Sequence, residues 1–219
     1  MARHKFSEET KTNILTTANK LFQERGWDKV KIEDVVKEIG MTRGAFYHYF
    51  DSREDLIYQV VDQMFLEDNP FAKALDLKGM SGLEKLRVTF KENIGSQFNN
   101  DPDFVAQWKE TMSNPILFKS EVYSSVNTIA PFLQRILEEG NQDGTLNVKY
   151  PKQTAESLVM LSNAWLNPIT FEVTQEEYFE KLEYWAYMCN QLGVPLVDDE
   201  VKEQMKHLHQ HVVRDLFKE

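Results

Sequence analysis

Four residues near the amino end, Arg43, Gly44, Tyr47 and His48, have types and spacing that suit contact with DNA. Arg43 carries a planar guanidinium whose donors match the O6 and N7 acceptors of guanine. Gly44 has no side chain, so the backbone can approach a duplex closely there. Tyr47 and His48 end in polar groups that can bond phosphates. Because an α-helix fits the major groove with its N-terminal residues at the base edges, this pattern predicts a DNA-reading helix.

Two short helices joined by a tight turn would hold that face. Ile32, Val35, Val36 and Ile39 recur at the spacing of one buried helical stripe. Gly40 then supplies a residue that adopts the left-handed conformation at no steric cost, which ends the first helix.

The second helix has its own start signals. The hydroxyl of Thr42 can cap it, and Met41 and Phe46 fit a hydrophobic staple across the cap. Phe46 and Phe50 lie four residues apart and can turn inward together, which leaves the polar face outside. The spacing therefore predicts a helix-turn-helix, although an ordinary helical hairpin with solvated polar residues fits the same pattern.

Residues 10–56, and above all the segment GMTRGAFYHYFDSREDL, resemble the DNA-binding domain of the TetR family of bacterial transcription regulators. The resemblance implies a three-helix domain. Lys31 stands where the family usually has a capping Ser or Thr, and Arg53 stands where it usually has a phosphate-binding Lys. We expect the bases to be read by Arg43, Gly44, Ala45, Tyr47 and His48, and phosphates to be bound by Lys31, Thr42, Tyr49 and Arg53.

The charge of the chain is unevenly distributed. The 219 residues carry a net charge of −10, yet residues 1–53 hold ten basic and eight acidic side chains, and the remainder has a net charge of −12. This predicts a small basic footprint on an acidic body and weak non-specific DNA binding. The single Cys189 suits a reducing cytosol. We expect a cytoplasmic protein with no membrane contact, because neither a secretory signal nor an apolar run of ~20 residues is present.

Beyond residue 52 the pattern remains helical, with neither strand-like alternation nor an internal repeat. We predict an all-α chain with a helix-turn-helix domain at residues 1–52 and a helical regulatory and dimerisation domain at residues 53–219. Pro131 falls inside one helical pattern and should kink it. The later helices are predicted at about 81–98, 103–113, 116–139, 152–167, 175–191 and 198–217.

Two late segments carry large apolar residues along one face each. In the TetR family the corresponding helices pair with their symmetry mates, so the resemblance implies a homodimer. Packing of these faces within the chain is the alternative. The predicted interface consists of Leu158, Leu161, Trp165, Tyr178, Leu182 and Trp185.

Aromatic and methionine residues on neighbouring segments would suit a pocket for an apolar small molecule. The same residues could be plain core, and the sequence does not identify the ligand. The candidate lining consists of Phe90, Phe104, Trp108, Met112, Phe118, Tyr123 and Asn163.

Metal and catalytic chemistry find little support. His207 and His211 lie one helical turn apart, but no Cys accompanies them and His209 would point to another side, so we expect a solvated helix. The chain has no Gly-flanked nucleophile, phosphate-binding glycine loop or paired carboxylates. No catalytic residue and no cofactor is predicted.

These features together predict a homodimeric, ligand-responsive transcription regulator, acting as a repressor on a palindromic double-stranded DNA operator. One alternative is a helical scaffold or co-regulator whose acidic body binds a protein partner. A second alternative is a helical enzyme, for which the sequence offers no catalytic constellation. Repression and activation are not separated by sequence, because that depends on where the operator lies.

Overall fold

The computed structural model describes the backbone of residues 2–67, 69–99, 104–167, 170, 171 and 173–216. It describes the side chains of residues 8–67, 69–92, 109–167, 170, 171, 173–207 and 210. Within these ranges every regular element is a helix, which confirms the all-α prediction. The chain divides into two compact units, one ending at Glu67 and one beginning at residue 68.

The first unit is built from α1 (Ala2–Arg25), α2 (Ile32–Ile39), α3 (Arg43–Phe46) and α4 (Arg53–Glu67). α1 packs against both α2 and α4. Of the apolar stripe predicted for α2, Ile32, Val35 and Val36 are buried and Ile39 is half-buried. The buried residues of the first three helices and the following turn include Ile14, Ala18, Phe22, Ile32, Val35, Phe46 and Phe50.

The fourth helix belongs to the first unit by its packing. Leu56, Ile57 and Val60 of α4 are buried, and α4 lies against α1. The compact unit therefore extends to Glu67 and does not stop at residue 52, because the apolar stripe of α4 is needed to cover α1. The functional division at residue 52 stays a prediction.

The second unit centres on α9 (Ala130–Asp143), which packs against α5 (Pro70–Leu75), α6 (Gly82–Asn99) and α10 (Pro151–Met160). The short α5 is not among the predicted helices; its start is fixed by Asn69, whose side chain accepts the N–H groups of Phe71 and Ala72. Among the described helices none is long and apolar enough to cross a bilayer. The elements are α5 (Pro70–Leu75), α6 (Gly82–Asn99), α7 (Phe104–Ser113), α8 (Pro115–Ser124), α9 (Ala130–Asp143), α10 (Pro151–Met160), α11 (Gln175–Gln191) and α12 (Asp199–Leu216).

Two glycines allow α6 and α9 to approach closely. A Cβ atom on Gly82 would lie 2.4 Å from the Cα of Gly140, and a Cβ on Gly140 would lie 2.4 Å from the Leu146 side chain. Next to this crossing, Asp143 Oδ2 accepts the N–H of Gly82 at 2.7 Å. The hydroxyl of Thr145 and this N–H hold the pKa of Asp143 below its usual range. The crossing is thus fixed by small residues and by a charged cap.

Two π-helical turns interrupt the helices of the second unit. One, Ser125–Ile129, joins α8 to α9, and the other, Leu161–Trp165, continues α10. Pro131 has no N–H, and its ring would clash with the carbonyl four residues earlier, so the helix widens just before it. The disturbance that Pro131 predicts therefore takes the form of a π turn.

Candidate nucleic-acid interface

The turn between α2 and α3 has the geometry that its residues predict. Gly40 adopts a left-handed conformation with φ of 75°. Thr42 is extended, and its Oγ1 accepts the N–H of Ala45 at 3.2 Å. At the start of α2, Asp34 Oδ2 accepts the N–H of Lys31 at 2.8 Å. The lysine side chain makes no capping bond, since an ammonium cannot accept one.

The helix α3 presents polar side chains above an aromatic core. Phe46 and Phe50 are fully buried, with ring centroids 5.2 Å apart. The α-helical part ends at Phe46, and a turn follows. The structure brings the predicted base-reading residues to one surface: Arg43, Gly44, Tyr47 and His48 are exposed and Ala45 is half-buried.

Arg43 is held in place by two neighbours. Its Nη1 lies 2.8 Å from Glu33 Oε1, and its Nη2 lies 3.4 Å from the Tyr47 hydroxyl. The guanidinium carbon is 5.8 Å from the centroid of the Tyr47 ring. The Tyr47 hydroxyl and the Glu33 carboxylate both raise the pKa of Arg43, because they stabilise its charged form. These exposed contacts contribute little to stability, but they orient the guanidinium at the outer edge of α3.

Arg53 makes contacts that its sequence position does not predict. Its Nε donates to the carbonyl oxygen of Val30 at 2.8 Å, and its Nη2 donates to the carbonyl oxygen of Trp27. The side chain thus clamps the loop between α1 and α2. A guanidinium has five N–H donors, so phosphate binding by Arg53 stays a prediction. Of the other predicted phosphate ligands, Lys31 is exposed and Tyr49 is half-buried.

The predicted pocket residues whose side chains the structure describes differ in their burial. Phe118 and Tyr123 are 37% and 52% exposed. Phe90 instead stacks on Trp185, with ring centroids 5.1 Å apart, and Met112 is half-buried. Phe118 and Tyr123 lie on the outer side of their helix, because the apolar pattern of α8 does not repeat on a single face.

The other residues predicted to line the pocket are Asn163, Phe104 and Trp108. Asn163 is half-buried, and its Nδ2 donates to Ser125 Oγ at 3.2 Å. The side chains of Phe104 and Trp108 lie outside the described residues. The chain also has a surface hollow of about 620 Å³ that shares no residue with the predicted pocket. That hollow is lined by Gln175, Glu176, Phe179, Glu180 and Glu183.

Most of the residues predicted for the dimer face are buried within the single chain. Leu158 of α10 and Tyr178, Leu182 and Trp185 of α11 are all buried within the single chain. Their stripe packs on their own unit, so a partner could not reach them without rearrangement. Leu161 and Trp165 are half-buried.

The exposed side of α11 and the segment before it carry a group of aromatic residues that includes Trp165 of the predicted interface. Tyr184 and Tyr187 of α11 are 59% and 61% exposed, and Phe171 is also exposed. The ring of Tyr184 meets that of Trp165 edge-on at 6.0 Å, and Lys181 Nζ lies 5.2 Å from the centroid of the Trp165 ring. We call Trp165, Phe171, Tyr184 and Tyr187 the aromatic patch.

The histidines of α12 can be placed only in part. His207 is exposed, and the side chains of His209 and His211 lie outside the described residues. In the part of the chain whose side chains are described, no three His, Cys, Asp or Glu residues come together as a metal site would need.

The ion pair of Glu33 and the burial of Glu121 could not be predicted from the sequence. Glu33 meets Arg43 only because the turn folds α3 against α2. Glu121, on α8, is buried, which a carboxylate in a helical pattern does not reveal. An acidic residue at a helix position gives no signal of burial until the neighbouring helices are in place.

A short two-helix motif with an exposed polar face, carried by an all-helical chain, defines the helix-turn-helix class of DNA-binding proteins. Two family descriptions match the chain. "Bacterial regulatory proteins, tetR family" matches residues 14–60, and "Tetracyclin repressor-like, C-terminal domain" matches residues 84–186. The chain belongs to the TetR family of bacterial regulatory proteins.

Individual proteins are similar over different extents. The HTH-type transcriptional repressor KstR2 of Rhodococcus jostii is 25% identical over 181 residues, which cover 77% of this chain and 86% of that protein. The HTH-type regulator YuxN of Bacillus subtilis is 32% identical over 107 residues, but the match spans only 35% of its length and 47% of this chain. RolR in complex with resorcinol shares the fold, with a TM-score of 0.59, 18% identity and coverage of 92% of this chain and 95% of RolR.

Proposed function

We propose that this chain is a ligand-responsive transcriptional repressor that binds a palindromic operator as a homodimer. The observation that carries the proposal is the exposed face of α3, where Arg43, Tyr47 and His48 lie over the buried Phe46 and Phe50. Repression is supported by the similarity to KstR2, which is described as a repressor. Response to a small molecule is supported by the fold shared with RolR, which binds resorcinol.

In this proposal Arg43 reads a guanine in the major groove and Glu33 sharpens the choice. The Glu33 carboxylate holds the Arg43 guanidinium at 2.8 Å and carries the same sign of charge as the DNA backbone. The Glu33 carboxylate is therefore repelled by the DNA phosphates. A contact with phosphate alone does not offset this repulsion, whereas a guanine offsets it by accepting two hydrogen bonds from Arg43. The ion pair therefore favours specific over non-specific contact.

The dimer would form through the aromatic patch and not through the residues buried in the chain. Tyr184 and Tyr187 lie one helical turn apart on α11, so both can meet the same helix of a second copy. Aromatic side chains supply large contact areas at interfaces. A two-fold dimer would then present two α3 helices to the two halves of a palindrome.

An effector would release the operator by binding the second unit. It can do so only through different affinities for the DNA-binding and the non-binding conformations. Repression would then end in proportion to the occupancy of that site.

The DNA test is a footprint on sequences flanking the chain's own gene, with the affinity then measured on the protected fragment and on unrelated DNA. Arg43→Ala should weaken the protected site by roughly 5- to 150-fold, about 1–3 kcal/mol, and leave unrelated DNA nearly unchanged. Lys20→Ala, on the exposed side of α1, removes one positive charge as a matched control. It should leave the ratio of the affinities for the protected fragment and for unrelated DNA unchanged. Equal weakening of both DNAs by Arg43→Ala would show that this residue does not read bases.

The dimer test is sedimentation of the purified protein. The wild-type protein should sediment at twice the chain mass, and the double variant Tyr184→Asp/Tyr187→Asp should sediment as a monomer. Tyr150→Asp is the control, because Tyr150 is equally exposed at 59% but lies outside the patch. A dimer that survives the double variant would place the interface elsewhere.

A further inference from the structure

The second unit buries a carboxylate for which the described side chains supply no ion-pair partner. Glu121 of α8 is only 5% exposed. The Nδ2 atom of Asn163 lies 3.5 Å from Glu121 Oε1 and also bonds Ser125 Oγ. Among the residues whose side chains are described, none forms an ion pair with Glu121.

Burial changes the acidity of this group. Desolvation is the cause that raises the pKa of Glu121 from 4.5 to about 7. An ionised carboxylate away from water is costly unless a cation or several donors compensate it. Groups that are perturbed by burial in this way occur often at binding sites.

A second buried polar group, the Ser124 hydroxyl, lies three residues after Glu121 on α8. Ser124 is fully buried, and no described residue forms a hydrogen bond with its Oγ. The π turn Ser125–Ile129 begins directly after Ser124, and Asn163 lies in the other π turn. Turns of this kind recur at functional sites, where they redirect side chains out of the regular helical pattern. A carboxylate and an amide thus meet where the two π turns approach, and a buried hydroxyl lies three residues after the carboxylate on the same helix.

We infer that Glu121, Ser124 and Asn163 form the polar end of an effector site that takes a small organic cation with N–H donors, such as a protonated amine. This assignment rests on the proposed function, because it names the chemical class of the effector. The ammonium would donate to the Glu121 carboxylate and to Ser124 Oγ, and its charge would compensate the buried anion. An alcohol of the same shape could donate one bond but could not supply the charge.

The charged side chains on the elements packed around Glu121 are exposed or half-buried where they are described. On α9 and α10, which pack on the Ser125–Ile129 turn, Arg135 and Lys152 are exposed and Glu138, Glu139 and Glu156 are half-buried. On α7, which packs against α8, Lys109 and Glu110 are exposed, and Lys119 on α8 itself is exposed. The two π turns, SVNTI and LSNAW, contain no titratable residue. The amine site should therefore follow the ionisation of Glu121 alone, which predicts binding about tenfold tighter at pH 8 than at pH 6.

The test measures binding of a panel of primary amines, each paired with the alcohol of the same skeleton, to the full chain by calorimetry at pH 6 and pH 8. The amines remain protonated at both values. At least one amine should bind at least tenfold tighter than its alcohol, with the predicted gain at pH 8. Buffers of different ionisation enthalpy should report proton release near pH 7 from Glu121.

Three variants decide whether the contact is the one assigned. Glu121→Gln should remove the preference for amine over alcohol and the pH dependence, and Glu110→Gln, on the exposed part of α7, should retain both. Asn163→Ala should weaken the binding of the amine without changing the net charge of the protein. Circular dichroism checks that each variant is folded.

Other outcomes would overturn the site. If every amine binds no better than its alcohol, or if the preference survives Glu121→Gln, Glu121 is a core carboxyl group and not a ligand group. Operator binding is measured separately on the same samples. If the protein binds operator but binds no amine, only the amine site is refuted. If the protein protects no DNA, the proposed function is refuted.

Discussion

The burial of Glu121 has a consequence for stability that needs no ligand. In the unfolded chain its pKa is the ordinary 4.5, and in the folded chain burial raises that pKa to about 7. The folded state therefore holds the proton more tightly. This contributes stability that is fully present below the unfolded pKa and is lost as the pH rises through the folded pKa. The stability is lost between about pH 4.5 and about pH 7, and it levels off above the folded pKa because both states are then ionised.

The magnitude follows from the two pKa values. Each tenfold change in proton affinity is worth 1.36 kcal/mol, so the full loss is on the order of 3 kcal/mol. Glu121→Gln keeps the size of the side chain but has no proton to lose. The difference in unfolding free energy between this variant and the wild type should therefore shift in favour of the variant by about 3 kcal/mol between pH 4.5 and pH 8.

Urea unfolding at half-unit intervals of pH, followed by tryptophan fluorescence, measures this difference. Three of the four Trp residues lie beyond residue 68, so the signal is weighted to the second unit. Subtracting the two proteins removes the titration of every other group. Glu110→Gln, at an exposed position, should run parallel to the wild type. If the Glu121→Gln curve also runs parallel, the carboxyl group is solvated and the reasoning from burial is refuted.

Three further substitutions test the contacts that hold each unit. Arg53→Ala removes hydrogen bonds to two loop carbonyls and should lower the stability of the first unit by about 1–3 kcal/mol. If the melting temperature is unchanged and only the salt dependence of DNA binding changes, Arg53 binds phosphate and does not stabilise the loop. Gly140→Ala places a Cβ 2.4 Å from the Leu146 side chain and should cost roughly 1–3 kcal/mol in urea unfolding, whereas Ala at the exposed Gln142 should cost little. Thr42→Ala removes the cap of α3 and should cost about 0.5–2 kcal/mol, and Thr42→Ser should restore most of it; equal stability of both variants would show that the cap does not matter.

The helix-turn-helix shows how far local pattern reaches. The apolar spacing of α2, the left-handed Gly40 and the Thr42 cap depend on residues within a few positions of one another. The 3.6-residue period also fixes which side chains share a face, so the outward position of Arg43 follows from the inward position of Phe46. Such features can be predicted because their causes are contained in one short segment.

The second unit shows where that reasoning stops. The stripe of Tyr178, Leu182 and Trp185 is visible in the sequence, but whether a partner or the same chain covers it depends on helices far along the chain. The stripe pattern fits both packing against a partner and packing within the chain, and the sequence does not show that these three side chains are already buried in the single chain.

The amino-acid sequence by itself determined the helical class, the start and end of the DNA-reading turn, and the family to which the chain belongs. The tertiary structure alone decided that Arg53 clamps a loop, that Glu33 holds Arg43, and that Glu121 is away from water. The physical reason is that helical periodicity is set by neighbouring residues, whereas burial and pairing are set by which distant segments meet. A side chain acquires its pKa and its partners only from that meeting.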